Sequence, residues 1–234
     1  LHAAPILSPL AHGKVIHINE VSAVASTGVV GTVYSADILG HKLLASFSHD
    51  EAIFADDTVH HVGQVMGLVV AQSHKQALVG AKKITAEISP LTAVLDVRDA
   101  YEKKHWVLPP VEVSRGHALE SIAKAPRHLS GSLDVGGQEH FYLEGQIAYA
   151  LPQENGQWLI HSSTQHPGEV QHWVAHALNV PLHAVRVVCR RMGGGFGGKE
   201  TQAGHLAVWA ALAAHKFQRP VKMRLDRDDD FMIT

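Results

Sequence analysis

Cysteine is nearly missing from this chain: of 234 residues only Cys189 is one. That excludes an internal disulfide and an iron–sulfur cluster held by the chain's own thiolates, and it fits a reducing compartment. Long apolar runs are missing too. No span of about eighteen apolar residues and no signal-peptide pattern occurs, so the sequence predicts a soluble, cytoplasmic protein with no membrane partner. An excess of positive charge is also lacking. Twenty basic residues against twenty-two acidic give a formal charge of −2, which disfavours nucleic acid and other polyphosphate partners. There is no initiator methionine at Leu1, and the chain stops at "MIT" just after the acidic "DRDDD" without a C-terminal cap. On these grounds it reads as a fragment of something longer.

What is present is an ordinary globular balance, 46% hydrophobic and 18% charged, enough to bury a core. "GKVIHINEV" and "GVVGTVYSADI" predict short strands, and "VGQVMGLVVA" (62–71) predicts a buried one. A helix follows, opened by the capping box Ser73/Gln76 and carrying Ala77, Gly80, Ala81 and Ile84 on one face. "TAEISPLTAVLD" reads as extended chain broken at Pro90. Pro109 and Pro110 mark a charged linker. Beyond it, "QENGQ" separates two strands, with the stretch "GGQEHFYLEGQ" before them also read as extended. Pro167 opens a helix with an apolar stripe at Val170, Trp173, Val174, Ala177 and Leu178, which Asn179 and Pro181 end. "VRVVCR" is a strand, and 201–217 is apolar nearly all round, a buried helix.

The richest local signal is "RRMGGGFGGKE" (190–200), five glycines among six residues, then Lys199 and Glu200. As a phosphate loop it fails at the last position, where Glu200 replaces the hydroxyl that holds magnesium. As a dinucleotide fingerprint, Gly193, Gly195 and Gly198 fit, but Arg190 and Arg191 stand where a buried strand should enter the turn. The glycines predict a backbone that a ligand can approach closely, beside the N-terminus of the next helix. Gln165, just ahead of a helix start, has an amide that either caps that helix or meets a ligand. Glu139, His140 and Glu144 are candidate acid or base groups, or structural ones. His172 and His176 share a helical face opposite the apolar stripe and read as solvated, as do His60 and His61. "DRDDD" lacks the calcium-loop pattern and reads as a solvated turn or helix start. Cys189 reads as a small buried hydrophobe.

Three ordered stretches, "GGQEHFYLEGQ" (136–146), "STQHP" (163–167) and "RRMGGGFGGKE", together resemble the molybdenum-cofactor subunit of the xanthine dehydrogenase/aldehyde oxidase family. "SHDEAIFADDTVHHVGQ" resembles that family's hammerhead domain. The resemblance implies an α+β fold: an α/β hammerhead domain at 1–103, a linker at 104–115, and the first part of a molybdenum-cofactor-binding domain at 116–234. It implies a molybdenum–molybdopterin cofactor held through its pterin dithiolene, with no protein side chain on the metal. Residue by residue, Gln165 matches a glutamine beside the metal's oxo group. Phe196 and Gly197 match loop residues around the metal centre, and Glu200 matches the glutamate that binds and polarises a purine. Aldehyde oxidases of the family lack that glutamate.

The implied activity is hydroxylation of hypoxanthine or xanthine, in purine catabolism. FAD and 2Fe-2S clusters are expected on another subunit or region, which makes an iron–sulfur/flavin subunit the expected partner in a hetero-oligomer. The family's general-base glutamate, a substrate-binding arginine and most of the pterin pocket are expected beyond Thr234, so this segment alone is expected to be inactive. Three other readings stay open: a non-catalytic docking module for the other subunit, an aldehyde oxidase-like enzyme, and a nicotinamide dehydrogenase built on the 193–198 fingerprint.

Overall fold

Val65–Ala71 forms a strand buried at all seven positions, and its neighbours explain why. The computed structural model describes residues 1–45 and 48–234. In chain order its strands are β1 (His2–Leu7), β2 (Gly13–Asn19), β3 (Val29–Val33), β4 (Leu43–Ala45), β5 (His49–Ala52), β6 (Thr58–Val59), β7 (Val65–Ala71), β8 (Thr85–Pro90), β9 (Ile147–Pro152), β10 (Trp158–Ser162), β11 (Val185–Val188) and β12 (Val221–Arg224). The helices are α1 (Val21–Val24), α2 (His74–Ala81), α3 (Val97–Glu102), α4 (Ala118–Lys124), α5 (Pro167–Leu178), α6 (Gln202–Phe217) and α7 (Arg227–Ile233).

Seven strands form one mixed sheet in the order β11-β10-β9-β12-β1-β7-β3, while β6-β2-β8 and β4-β5 form smaller sheets. Strand β1 joins the halves of the large sheet, pairing in parallel with β12 (His2 opposite Lys222) and antiparallel with β7. Leu68 and Val70 of β7 enter the main core with α5 and α6, whereas Met66 and Val69 enter a second core under β2 and β8. Both faces are covered, so the strand reads as a continuous apolar run rather than an alternating one.

Helix α6 is buried from Ala203 to Ala214 except at His205, as an all-round apolar helix should be. Gly204 lets α5 approach it: a Cβ there would stand 1.9 Å from the Trp173 ring. Trp173 and Trp209 place their indole N–H groups on carbonyls of Ala45 and Ile53, at 3.3 and 2.7 Å, so the rings bury their apolar area without an orphaned donor. Asn179 closes α5 in the left-handed conformation at φ 53°. Ser73 caps α2, its hydroxyl accepting from the Gln76 N–H, but the Gln76 side chain accepts from that hydroxyl instead of completing the box.

Two compact units divide the chain, residues 1–92 with 140–234, and residues 93–139. The expected linker, 104–115, lies inside the second unit. That unit holds α3, capped by Asp96 through the N–H groups of Arg98 and Asp99, and α4, and it is largely exposed.

Three local expectations change. "GGQEHFYLEGQ" contains no strand, because its polar groups bond to other loops and not to a ladder. Cys189 lies one residue past β11 and is half-buried. The acidic run opens α7, with Asp226 at the N-cap position, but Asp230 is buried, 1% exposed, and not solvated.

Candidate functional site

The loop 193–200 has only three side chains, and two of them are exposed: Phe196 and Glu200. The third, Lys199, is 0% exposed. A buried ammonium is tolerated only when its three donors are met. Here Nζ donates to the Glu144 carbonyl at 2.6 Å, to Ser163 Oγ at 2.9 Å and to Glu144 Oε2 at 3.2 Å, and it lies 4.7 Å from the centre of the Tyr142 ring. Glu144 Oε2 also accepts from the Ser163 hydroxyl at 2.7 Å and from the Gly193 N–H at 2.9 Å. Burial pushes the Glu144 carboxyl up, but Gly193, Ser163 and Lys199 together outweigh it and hold the group below the usual carboxylate range. Glu144, a candidate acid or base in the sequence, is thus committed as a carboxylate that ties three segments together.

Beneath this lies a second buried set. Asp230 Oδ1 accepts from the Tyr142 hydroxyl at 2.9 Å, and its Oδ2 accepts from the Gln146 N–H at 3.1 Å. Gln146 Nε2 donates to the Gly198 carbonyl at 2.8 Å. The part of the motif within 140–146 therefore supports the loop through Tyr142, Glu144 and Gln146. His140 stacks on Tyr142 and lies under Gly197 and Gly198. Glu139 belongs to the second unit and is exposed.

Gln165 does not cap α5, whose N-cap position is His166. Its Oε1 accepts from the N–H groups of Gly197 at 2.9 Å and Lys199 at 3.3 Å. Two backbone donors on one atom identify that atom as the oxygen. The opposite end of this exposed residue, Nε2, is therefore a donor, and it has no partner among the described residues. The Glu200 carboxylate likewise has no hydrogen-bond or ionic partner among them.

The glycines turn out to serve the protein's own side chains first. A Cβ at Gly193 would lie 2.6 Å from Glu144 Cβ, one at Gly195 would lie 2.5 Å from Gln165 Oε1, and one at Gly198 would lie 2.7 Å from Tyr142. Gly194 and Gly197 have φ +99° and +101°, and Phe196 between them has φ 54° with its side chain exposed. A bulky residue in the left-handed region is strained. The N–H groups of Gly194, Gly195 and Phe196 make no hydrogen bond among the described residues. Consecutive unpaired amides with alternating handedness make an anion-accepting concavity.

The same packing disposes of the dinucleotide fingerprint. Edge strand β11 ends at Val188, five residues before Gly193, and exposed Arg190 and Arg191 intervene. His172 and His176 are exposed on α5, with His41 beside the latter. Among the described residues no group of three or more His, Cys, Asp or Glu side chains is arranged to hold a metal, and no helix is long and apolar enough to cross a membrane.

Comparison with known proteins gives this geometry a family. The family model for the molybdopterin cofactor-binding domain matches residues 99–234, and that for the aldehyde oxidase and xanthine dehydrogenase a/b hammerhead domain matches residues 1–92. The chain belongs to the xanthine dehydrogenase/aldehyde oxidase family. Over its whole length it is 40% identical to the xanthine dehydrogenase of Calliphora vicina and 36% identical to xanthine dehydrogenase 2 of Arabidopsis thaliana, spanning 18% of each. The fold of the aldehyde oxidoreductase from Desulfovibrio gigas overlays 99% of this chain, and 27% of that protein, with a TM-score of 0.86 at 23% identity. Membership brings a molybdopterin-binding domain, and the donor set of the loop fits such a group. Three unpaired backbone N–H groups and one amide donor without a partner suit an oxygen- and nitrogen-rich anion, and among the described residues no thiolate or imidazole cluster is arranged to hold a metal.

The hub at Lys199 escaped the sequence reading. Its one available signal was placement: a lone cation inside a loop otherwise short of side chains to anchor it.

Proposed function

We propose that this chain forms one wall of the active site of a molybdenum hydroxylase that oxidises hypoxanthine and xanthine. The observation that carries the reading is a pair of groups without partners among the described residues: the Nε2 of Gln165, whose Oε1 is bonded to the loop, and the carboxylate of Glu200 on the loop itself. When bound, molybdopterin would supply the two-electron redox chemistry of carbon hydroxylation. Gln165 Nε2 would donate to an oxygen of that centre, and the free N–H groups of Gly194, Gly195 and Phe196 would receive the cofactor's acceptor atoms.

Glu200 works on the substrate side. Its carboxylate accepts a hydrogen bond from a ring N–H of the purine, orienting the heterocycle. The bond strengthens as charge shifts within the ring during attack, so it favours the transition state over the bound ground state. The exposed Phe196 ring supplies an apolar wall beside it. An aldehyde offers no ring N–H, so Glu200 is what separates purine from aldehyde chemistry in this reading.

Electrons would leave through 2Fe-2S and FAD centres on another subunit or region, since one half-buried cysteine cannot hold a four-thiolate cluster. The complete enzyme would be a hetero-oligomer of the cytoplasm serving purine breakdown, and this segment alone would not turn over. The test is Glu200→Ala in the complete enzyme. Purine kcat/KM should fall roughly 10²–10³-fold, while aldehyde oxidation stays unchanged. Purine activity within a few-fold of wild type would overturn the purine assignment and favour the aldehyde oxidase-like reading.

A further inference from the structure

Lys199 is assigned to neither cofactor nor substrate above, yet it is the only buried side chain of the loop 193–200. Burying a lysine is costly, and a buried ionic network can often be replaced by apolar groups with no loss of stability. Its bonds therefore call for a reason beyond packing, and their directions supply one. The ammonium reaches Glu144 and Ser163. The backbone of the same residue reaches Gln165 from both sides: its N–H donates to Oε1 at 3.3 Å, and its carbonyl accepts from the Gln165 N–H at 2.8 Å and from the Thr164 hydroxyl at 3.2 Å. With Gly197 and Gly198 before it and exposed Glu200 after it, no other side chain of the loop resists rotation of these peptides.

We propose that Lys199 is a positioning residue whose buried ammonium fixes the peptides that aim the Gln165 amide on one side and the Glu200 carboxylate on the other. Through Gly193, which bonds to the carboxylate Lys199 holds, the anchor extends to the start of the loop. The inference rests on the roles given above to Gln165 and Glu200. Loss of the ammonium leaves the fold but frees the loop, so the donor and the carboxylate no longer share one geometry.

The experiment compares wild type with Lys199→Met in the complete enzyme, reading amide hydrogen exchange and steady-state kinetics. Exchange at Gly197 and at residue 199 should quicken by roughly tenfold or more, the scale of one lost charge-assisted bond, while Leu206–Ala213 in α6 keep their protection. Purine kcat should fall roughly ten- to a hundredfold with KM little changed. A merely structural lysine would lower protection in loop and helix together. Ser163→Ala, which removes one of the three acceptors, should move both readings in the same direction by less, and it decides the matter if the methionine variant does not fold. Loop exchange and kcat within twofold of wild type would overturn the proposal. Should wild type prove inactive on purines, the substrate assignment fails, and the exchange comparison still judges Lys199.

Discussion

An alanine at position 195 would drive its Cβ to within 2.5 Å of the oxygen by which Gln165 receives the loop. One methyl group therefore sets the loop against the residue it is meant to hold. Overpacking of this kind costs about 1–3 kcal/mol, so Gly195→Ala should lower the urea midpoint of the complete enzyme and reduce the molybdenum that purifies with it. Gly168, in the first turn of α5, has nothing within 4 Å of its would-be Cβ. Gly168→Ala should be neutral or stabilising by up to about 1 kcal/mol, with full metal content. Equal behaviour of the two variants would refute the close fit at Gly195. At this scale the sequence is legible at Gln165, Phe196 and Glu200 only as motif letters, whose exposure the fold confirms. It is opaque at Lys199, Glu144 and Asp230. Charged residues in loops and runs ordinarily face water, and these three bond partners between 19 and 88 positions away.

The elements were legible wherever periodicity and caps agree. Pro167 and Asn179 bracket α5, and its stripe is the face that packs on α6. The extended reading of 136–146 failed because Tyr142, Glu144 and Gln146 bond to other loops and to α7 and join no ladder. Helix α6 carries its own test in His205, the one position between Ala203 and Ala214 that is not fully buried, with Glu51 Oε2 3.8 Å from its Nε2. Burial lowers its pKa from the ordinary 6.5, more than the Glu51 carboxylate raises it. The unfolded chain thus takes up a proton near pH 6.5 that the folded chain still refuses, and each such proton favours unfolding. Stability should therefore decline as pH falls from about 7 toward 5. Urea titrations at several pH values should show that decline, and His205→Gln should flatten it. An unchanged pH slope in the variant would show that His205 does not titrate differently on folding.

At the scale of the whole molecule, the large sheet takes β1, β7 and β3 from the first 92 residues and β9 to β12 from the last 95. Periodicity announced individual strands and helices, but not this pairing of β1 with β12 across 220 residues of sequence. Such contacts leave no local trace, and only the resemblance of three ordered motifs brought the site together in advance. That sheet fixes where the site lies, because β10 delivers Ser163 and Gln165, and the chain leaving β11 delivers the loop. We propose that this loop, through Gln165, borders a molybdenum centre. The proposal is tested most directly by an anomalous-difference map at the molybdenum edge from crystals of the complete enzyme. A metal peak should face the loop, with one of its oxygen ligands about 3 Å from Gln165 Nε2. A peak with no ligand in reach of Gln165, or lying away from Gly194–Glu200, would contradict it.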